Sequence, residues 1–369
     1  MKKIRVGLVF GGKSGEHEVS LQSAKSVYEA LDKNKYEVHL IGIDKKGRWL
    51  LEHGSQFLLN SENPRLIALN RANSSEIVPR QTPAAAQLLQ VADGSTQGSV
   101  DVFLAIMHGT YGDDGSMQGL FEVLDTAYVG AGVLGSAVGM DKDIMKRLLL
   151  QAHIPVTAYV SLKKGEATSK TLNDVVRQLG LPLFIKPANL GSSVGVTKVK
   201  NKRELATAVK KAFLYDTKIL VEQMVVGREV ECSVLGNDKP IASVPGEIIP
   251  SHEFYSYEAK YIDEHGAVLK IPADLPQNTT KKVREMAVRV FTTLECMGMA
   301  RVDFFVTERG EVIVNEINTI PGFTKISMYP KLWEASGMSY RKLLDTLIEL
   351  AIERKKEKDA LKRSFSSLD

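Results

Sequence analysis

The chain has 369 residues, 44% apolar and 25% charged, with a formal net charge of +4. That length allows two or three domains with separate cores, and the composition is that of an ordinary globular protein. The charge is too weak to argue for nucleic acid although it suits small anions, and no apolar run approaches the ~20 residues of a membrane helix, so neither nucleic acid nor membrane is an expected partner.

The opening MKKIRVGLVFGG begins like a secretion signal, but its apolar run is too short, and Gly-Gly-Lys then Glu-His-Glu follow. It predicts a first strand over Ile4–Phe10. Helical spacing covers Ser20–Leu31, Tyr36–Asp44 is a strand, and Gly47–Glu52 pairs with it. His53–Gly98, rich in Asn, Gln, Ser and Pro, is weakly patterned and reads as surface insertions. Val100–His108 is a strand and Gln118–Leu124 part of a short helix. This βαβ rhythm predicts a parallel sheet with ligands at the carboxyl ends of its strands.

A helix follows Asp141 and ends near His153. Strands at Pro155–Leu162, Leu183–Pro187, Val194–Val199 and Lys218–Met224 accompany helices near Leu172–Leu179 and Arg203–Tyr215. Strands Glu229–Leu235 and Pro240–Val244 come next, then a loop rich in Tyr and charge, a helix near Thr280–Met297 and a hairpin over Ala300–Asn318. The closing helix, Tyr340–Glu357, ends in a fraying charged tail. The expected class is α/β, with α+β character in the C-terminal part, in three domains: 1–141, 142–225 and 226–369. Cys232 and Cys296 fall in apolar strand-like and helix-like patterns, which predicts reduced core residues of a cytoplasmic protein.

GLVFGGKS, Gly7 to Ser14, fits the P-loop pattern but in the wrong context. Gly7 lies inside the strand, so no phosphate loop remains, and Glu16 and Glu18 oppose a polyphosphate. A Gly-Gly turn opening a helix fits better, and presents Glu16 at a strand's carboxyl end. Taken by itself, Glu16 is a first-turn carboxylate favoured by the helix dipole.

ARVDFFVTERGEVIVNEIN is the most informative segment. A hairpin symmetric about Arg309-Gly310 puts Asp303 opposite Glu316 and Arg301 opposite Asn318, with all four side chains on one face. A one-residue bulge would break that pairing. Two opposed carboxylates about 5 Å apart repel by roughly 3 kcal/mol at an effective dielectric of ~20. Such a hairpin calls for a cation. Asp303, Glu316 and the Asn318 amide are hard oxygen donors suited to Mg²⁺ or Mn²⁺, and Arg301 beside them suits phosphate or developing oxyanion charge.

Lys186 ends the strand LFIKP, and the Gly/Ser loop NLGSSVGV after it can turn N–H and hydroxyl groups onto phosphates. Lys142 opens a helix and taken alone is an ordinary surface lysine. The strand KILVEQMV, followed by Gly227 and Glu229, has backbone groups and carboxylates suited to an adenine and a ribose.

Together these residues resemble one family. GGKSGEHEVSL, the MDK ending at Lys142, IKPANLGSSVGV, VEQMVVGREV, YEAKY, RVDFF and NEINTIPGFTKISMYP occur in the order found in D-alanine–D-alanine ligases, from about residue 4 to residue 350. The resemblance implies an ATP-grasp fold, with ATP held between the central and C-terminal sheets. Position by position, it implies that Lys142 and Lys186 bind ATP phosphates under a loop of Gly191, Ser192 and Ser193. Glu222 and the Val225 backbone would meet adenine and Glu229 the ribose, with Phe305 also in the nucleotide set. Asp303, Glu316 and Asn318 would hold two Mg²⁺ or Mn²⁺ ions.

For the amino acids, the resemblance implies Glu16 on the first D-alanine's ammonium and His108 near its carboxylate. Ser192 and Tyr261 would join Glu16 in a set that locks a loop of about residues 250–270. Lys260 would reach the γ-phosphate, Arg301 and the Gly322 N–H the tetrahedral intermediate, and Ser327 and Met328 the second carboxylate. The expected activity is ATP-dependent ligation of two D-alanines through D-alanyl phosphate, by a cytoplasmic homodimer. Segment 53–98 is longer than in compact family members, and position 328 is Met where the family also uses Leu. Tyr261, where D-alanyl-D-lactate ligases carry His, favours an amine as second substrate. A non-catalytic nucleotide regulator would not need Arg301 and three metal donors, and a dehydrogenase would need the absent G-x-G-x-x-G.

Overall fold

A computed structural model describes residues 2–54, 56–83, 85–250 and 267–362. The β-branched run Ile4–Gly11 (β1) leads through helix α1 (His17–Ala30) to β2 (Tyr36–Ile43), which lies parallel to it. β3 (Trp49–Glu52) turns back antiparallel on β2. Past a small ribbon of β4 (Leu58–Leu59) and β5 (Ala68–Leu69), three strands extend the sheet antiparallel: β6 (Ser74–Arg80), β7 (Ala86–Gln90) and β8 (Thr96–Val100). β9 (Val102–Ile106) and β10 (Ala127–Tyr128), either side of α2 (Ser116–Val123), are parallel beside β1.

The first sheet, ordered β10-β9-β1-β2-β3-β6-β7-β8, is therefore mixed and not parallel throughout. The weakly patterned segment 53–98 contributes β6, β7 and most of β8 to one edge of this sheet. Its strands bury few side chains each, Ile77, Ala86 and Leu88 among them. Pro79 and Gly98 lie within strands, where they dilute the β signal.

Helices α3 (Val133–Met140) and α4 (Lys142–Gln151) lead to a second sheet. It is antiparallel, ordered β11-β14-β12-β13, with β11 (Tyr159–Lys163), β12 (Leu183–Pro187), β13 (Thr197–Val199) and β14 (Lys218–Gln223). Period-two alternation sends Leu183, Ile185, Ile219 and Val221 against α5 (Ser169–Leu179) and α6 (Lys202–Ala212). Phe184, Lys186 and Glu222 take the opposite face.

The third sheet is antiparallel, ordered β18-β17-β15-β19-β20, with β16 (Ile241–Ala242) paired to β15. Its members are β15 (Arg228–Gly236), β17 (Gly246–Pro250), β18 (Ala267–Lys270), β19 (Gly298–Val306) and β20 (Val312–Asn318). One face packs Val230, Cys232, Val302, Phe304 and Val314 on α7 (Gln277–Thr293). Met145 and Leu149 of α4 join this core. The last helices, α8 (Met328–Ala335) and α9 (Tyr340–Asp359), bury Tyr329, Trp333, Leu343 and Leu347 in one cluster with Val6, Leu8 and Phe10 of β1. The N-terminal and C-terminal units thus share a core, while the central sheet keeps its own. Both cysteines are free and buried.

Candidate active site

The opposite face of the third sheet is polar. Cross-strand partners place Glu229 beside Phe305, Glu231 beside Asp303 and Ser233 beside Arg301. On the other side of β19, Asp303 faces Glu316 and Arg301 faces Asn318. These pairs agree with the sequence reading, but the route to them differs. Nearer the turn, Phe304 faces Val314 and Val306 faces Val312, one residue off a hairpin centred on Arg309-Gly310, and a bulge at Asn315 makes up the difference. Without that extra residue the alternation would send Glu316 and Asn318 into the apolar core.

Arg301 is clamped. Its Nε lies 2.8 Å from Glu231 Oε2, and it donates to both Asp303 oxygens at 2.8 and 2.7 Å. Asn318 Nδ2 donates to Asp303 Oδ2 at 3.0 Å. Lys142 Nζ lies 3.3 Å from Glu316 Oε2 and donates to the Leu190 carbonyl at 2.8 Å. Among the described residues no group of three His, Cys, Asp or Glu side chains gathers for a metal. The candidate donors are two carboxylates and one amide, a hard-oxygen set that fits a small divalent cation completed by water and phosphate. Glu231 was missed in the sequence; its signal was the alternating Glu229, Glu231, Ser233 on one strand.

Across the cleft stand the carboxyl ends of β1 and β9. Gly11 and Gly12, at φ +90° and +99°, turn the chain there; a side chain on Gly11 would collide with the Ile43 carbonyl. Glu16, next after this turn and first before α1, is 8% exposed and accepts a hydrogen bond from Ser192 Oγ. Ser192 and Ser193 both adopt left-handed backbone, φ +51° and +59°, as the Gly/Ser loop folds over Glu16.

His108 Nδ1 lies 2.9 Å from the Ile320 carbonyl, which assigns the proton to Nδ1 and makes Nε2 an acceptor with no hydrogen-bond partner among the described residues. Burial, aided by the charge of Arg301, lowers its pKa, against a smaller opposing pull from Glu16. Asp113 also lines the cleft, with Oδ1 buried and lacking a hydrogen-bond partner among the described residues. Burial, then the charge of Glu16, raises its carboxyl well above the usual range. The sequence reading did not single out Asp113; the turn-rich HGTYGDDG around it was the available signal.

The third wall is the entrance to α8. A Cβ on Gly322 would sit 2.8 Å from Ser327 Oγ, so a larger residue there would have to push that hydroxyl aside. Ser327 Oγ accepts the Thr324 N–H at 3.0 Å and does not cap the helix, leaving the positive end of α8 toward the cleft. Met328 is buried against Ile248 and Leu332. Glu16, His108, Lys142, Ser192, Arg301 and Glu316 line one cleft of about 440 Å³, together with Asn318, Gly322, Ser327 and Met328.

Lys186 and Glu222 form a second cluster on the facing central sheet. Lys186 Nζ is 2.6 Å from Glu222 Oε2 and donates to Asn315 Oδ1 at 3.3 Å, so the bulge meets the central sheet. Lys146 Nζ lies 3.1 Å from Glu222 Oε1. Burial alone would raise the Glu222 carboxyl, but the two ammonium charges outweigh it and hold it down at about 2. The Glu222 side chain is thus committed to the two lysines. Glu229 and Phe305 continue the polar face of the third sheet, and Val225 lies in the link between the sheets. Lys260 and Tyr261, like most of the expected locking loop, lie outside the described residues.

Two antiparallel sheets meeting across a lysine- and carboxylate-lined cleft, with a separate sheet on its third side, define an enzyme of the ATP-grasp class. Residues 5–131 match the D-ala D-ala ligase N-terminus and residues 148–349 the D-ala D-ala ligase C-terminus. The D-alanine–D-alanine ligase of Shouchella clausii is 54% identical over 365 residues, 99% of each chain. Among solved structures, the D-alanine-D-alanine ligase from Coxiella burnetii superposes with a TM-score of 0.85 at 41% identity, over 97% of each chain. The VanG D-Ala:D-Ser ligase from Enterococcus faecalis superposes with 0.83 at 36% identity, over 95% of this chain and all of that one. The chain belongs to the D-alanine–D-alanine ligase family.

Proposed function

We propose that this enzyme joins two D-alanine molecules to D-alanyl-D-alanine at the expense of ATP, a step that supplies a peptidoglycan precursor. The observation that carries the reading is the single cleft in which the acidic hairpin and Arg301 confront Glu16, His108 and the Ser192 loop.

A carboxylate and an amine form a salt at neutral pH; they do not condense. Transfer of the γ-phosphoryl group to the first D-alanine's carboxylate oxygen releases ADP and creates an acyl phosphate. The amine of the second D-alanine attacks the acyl carbon, loses a proton, and phosphate leaves. Lys142 and Lys186 hold phosphates, with Ser193 and the loop around it above them. The Val225 backbone meets adenine beside Glu222 and Phe305, and Glu229 takes the ribose. Glu16 binds the first ammonium and His108 lies by its carboxylate. Arg301, held by Asp303 and Glu231, and the Gly322 N–H receive the oxyanion. Ser327 and Met328, at the positive end of α8, take the second carboxylate.

Asp303, Glu316 and Asn318 fit divalent ions, and our assignment is two Mg²⁺ or Mn²⁺. A bound ion supplies charge neutralisation as the phosphoryl group moves. Lys260 and Tyr261 complete the γ-phosphate contact and the loop lock. In this reading 1–141 carries the first substrate, 142–225 is the central ATP-grasp domain, and 226–369 carries metal site and lid. The reaction is assigned to the cytoplasm, where ATP is held; among the described residues no helix is long and apolar enough to cross a membrane. A homodimer is proposed too, supported by exposed Val123, Val133 and Leu134 on α2 and α3.

The deciding assay is phosphate release with ATP and Mg²⁺, run with D-alanine, L-alanine, and D-alanine plus D-lactate. Release is expected with D-alanine alone and no gain from D-lactate. Nucleotide binding without release would turn the reading toward a regulator.

A further inference from the structure

We infer that Lys146, which belongs to none of the ligand-contacting sets above, is a positioning residue that keeps the charge of Lys186 available to a nucleotide phosphate. The inference rests on the reading of this cleft as an ATP site. Lys146 sits on α4 four residues after Lys142, and its side chain is 0% exposed. It therefore touches no ligand itself. Its neighbours Met145 and Leu149 are core hydrophobics, so an apolar side chain would suit this helix without the cost of desolvating an ammonium group. A lysine here needs another reason.

Glu222 supplies it. The two oxygens of this one carboxylate are divided between two ammonium groups, Lys146 at 3.1 Å on Oε1 and Lys186 at 2.6 Å on Oε2. The Lys146 contact is an ion pair without an aligned hydrogen bond. Tyr159, directly across the strand pair from Glu222, sets its ring 5.5 Å from the same ammonium. With Lys146, Glu222 and Lys186 all ionised the three carry one net positive charge; burial draws the Lys146 ammonium's pKa down, and the charge of Glu222 pulls it part of the way back up. Lys186, with a side chain 14% exposed, is the only one of the three with more than a trace of open surface, so the surplus charge is presented there.

Without Lys146, Glu222 and Lys186 would close on each other as a neutral pair and leave little attraction for phosphate. Lys146 thus acts through Glu222. Removing its charge should do to nucleotide binding what removing part of Lys186's charge would do. Removing the charges of Lys146 and Glu222 together should restore the balance.

The test is ADP binding by calorimetry with Mg²⁺, and steady-state kinetics, on the full-length wild type, K146M and K146M/E222Q, with melting temperatures for each. K146M is expected to weaken ADP binding and raise KM for ATP by about tenfold, with kcat and KM for D-alanine changed by less than about twofold. K146M/E222Q is expected to recover most of that loss. A purely structural lysine would give no recovery. Wild-type affinity in K146M, or a double variant no better than the single one, overturns the inference. Should K146M not fold, K146Q/E222Q decides: affinity near wild type supports it, and a tenfold loss overturns it. A wild type that binds no ADP overturns the nucleotide reading and the inference with it.

Discussion

Asp303 illustrates how much one side chain is asked to do. It receives two hydrogen bonds from Arg301 and one from Asn318 while belonging to the proposed metal set. Asp303→Asn keeps the shape and removes the charge, so it should both weaken the divalent ion and release Arg301. Turnover is expected to fall by about 100-fold or more with the melting temperature nearly unchanged, and Glu316→Gln to behave alike. Wild-type phosphate release from both variants would remove the hairpin from catalysis. These residues were legible because a period-two pattern carried acids through apolar strands. Lys146, Glu231 and Asp113 were not. Each looks ordinary in its own segment, and only long-range packing brings it against a residue 76, 70 or 97 positions away: Glu222, Arg301 and Glu16.

At the level of elements, α4 shows how a short helix organises two clusters. Asp141 caps it by accepting from the Asp143 and Ile144 N–H groups, and it is bound by Lys218 Nζ at 2.6 Å from β14. The cap fixes where Lys142 and, one turn on, Lys146 leave the helix. Asp141→Ala should cost about 1–2 kcal/mol of stability. It should also raise KM for ATP more than KM for D-alanine. Calorimetric melting and the two KM values check this, and equal shifts in both would deny α4 a nucleotide-side role. Strand identities around the site were readable from the sequence, but the antiparallel strands over 74–100 were not, since each buries too few side chains to stand out.

Across the whole molecule, the first and third sheets share apolar packing through α8 and α9, and the central sheet stands on a separate core. The unified N-terminal layer tolerates one costly feature. Glu52 on β3 is 5% exposed, and neither carboxylate oxygen has a hydrogen-bond partner among the described residues. Burial pushes its pKa up from 4.5 to about 7. The folded state therefore favours the protonated form. Its contribution is complete below about pH 4.5 and is lost as pH rises through 7. Glu52→Gln should melt higher than wild type at pH 8, by as much as about 3 kcal/mol, with the gap closing near pH 5. A gap independent of pH would show that Glu52 is not held neutral.

The extra residue at Asn315 has a consequence for how this hairpin can vary. The bulge sets an odd-or-even count along β20 that decides whether Glu316 meets the cleft or hydrocarbon. A lone deletion at Asn315 would leave the rest of both strands intact, yet turn Glu316 and Asn318 from chemistry toward oil. The count at Asn315 is therefore expected to stay fixed, while the turn between Thr307 and Glu311 is free to change its length.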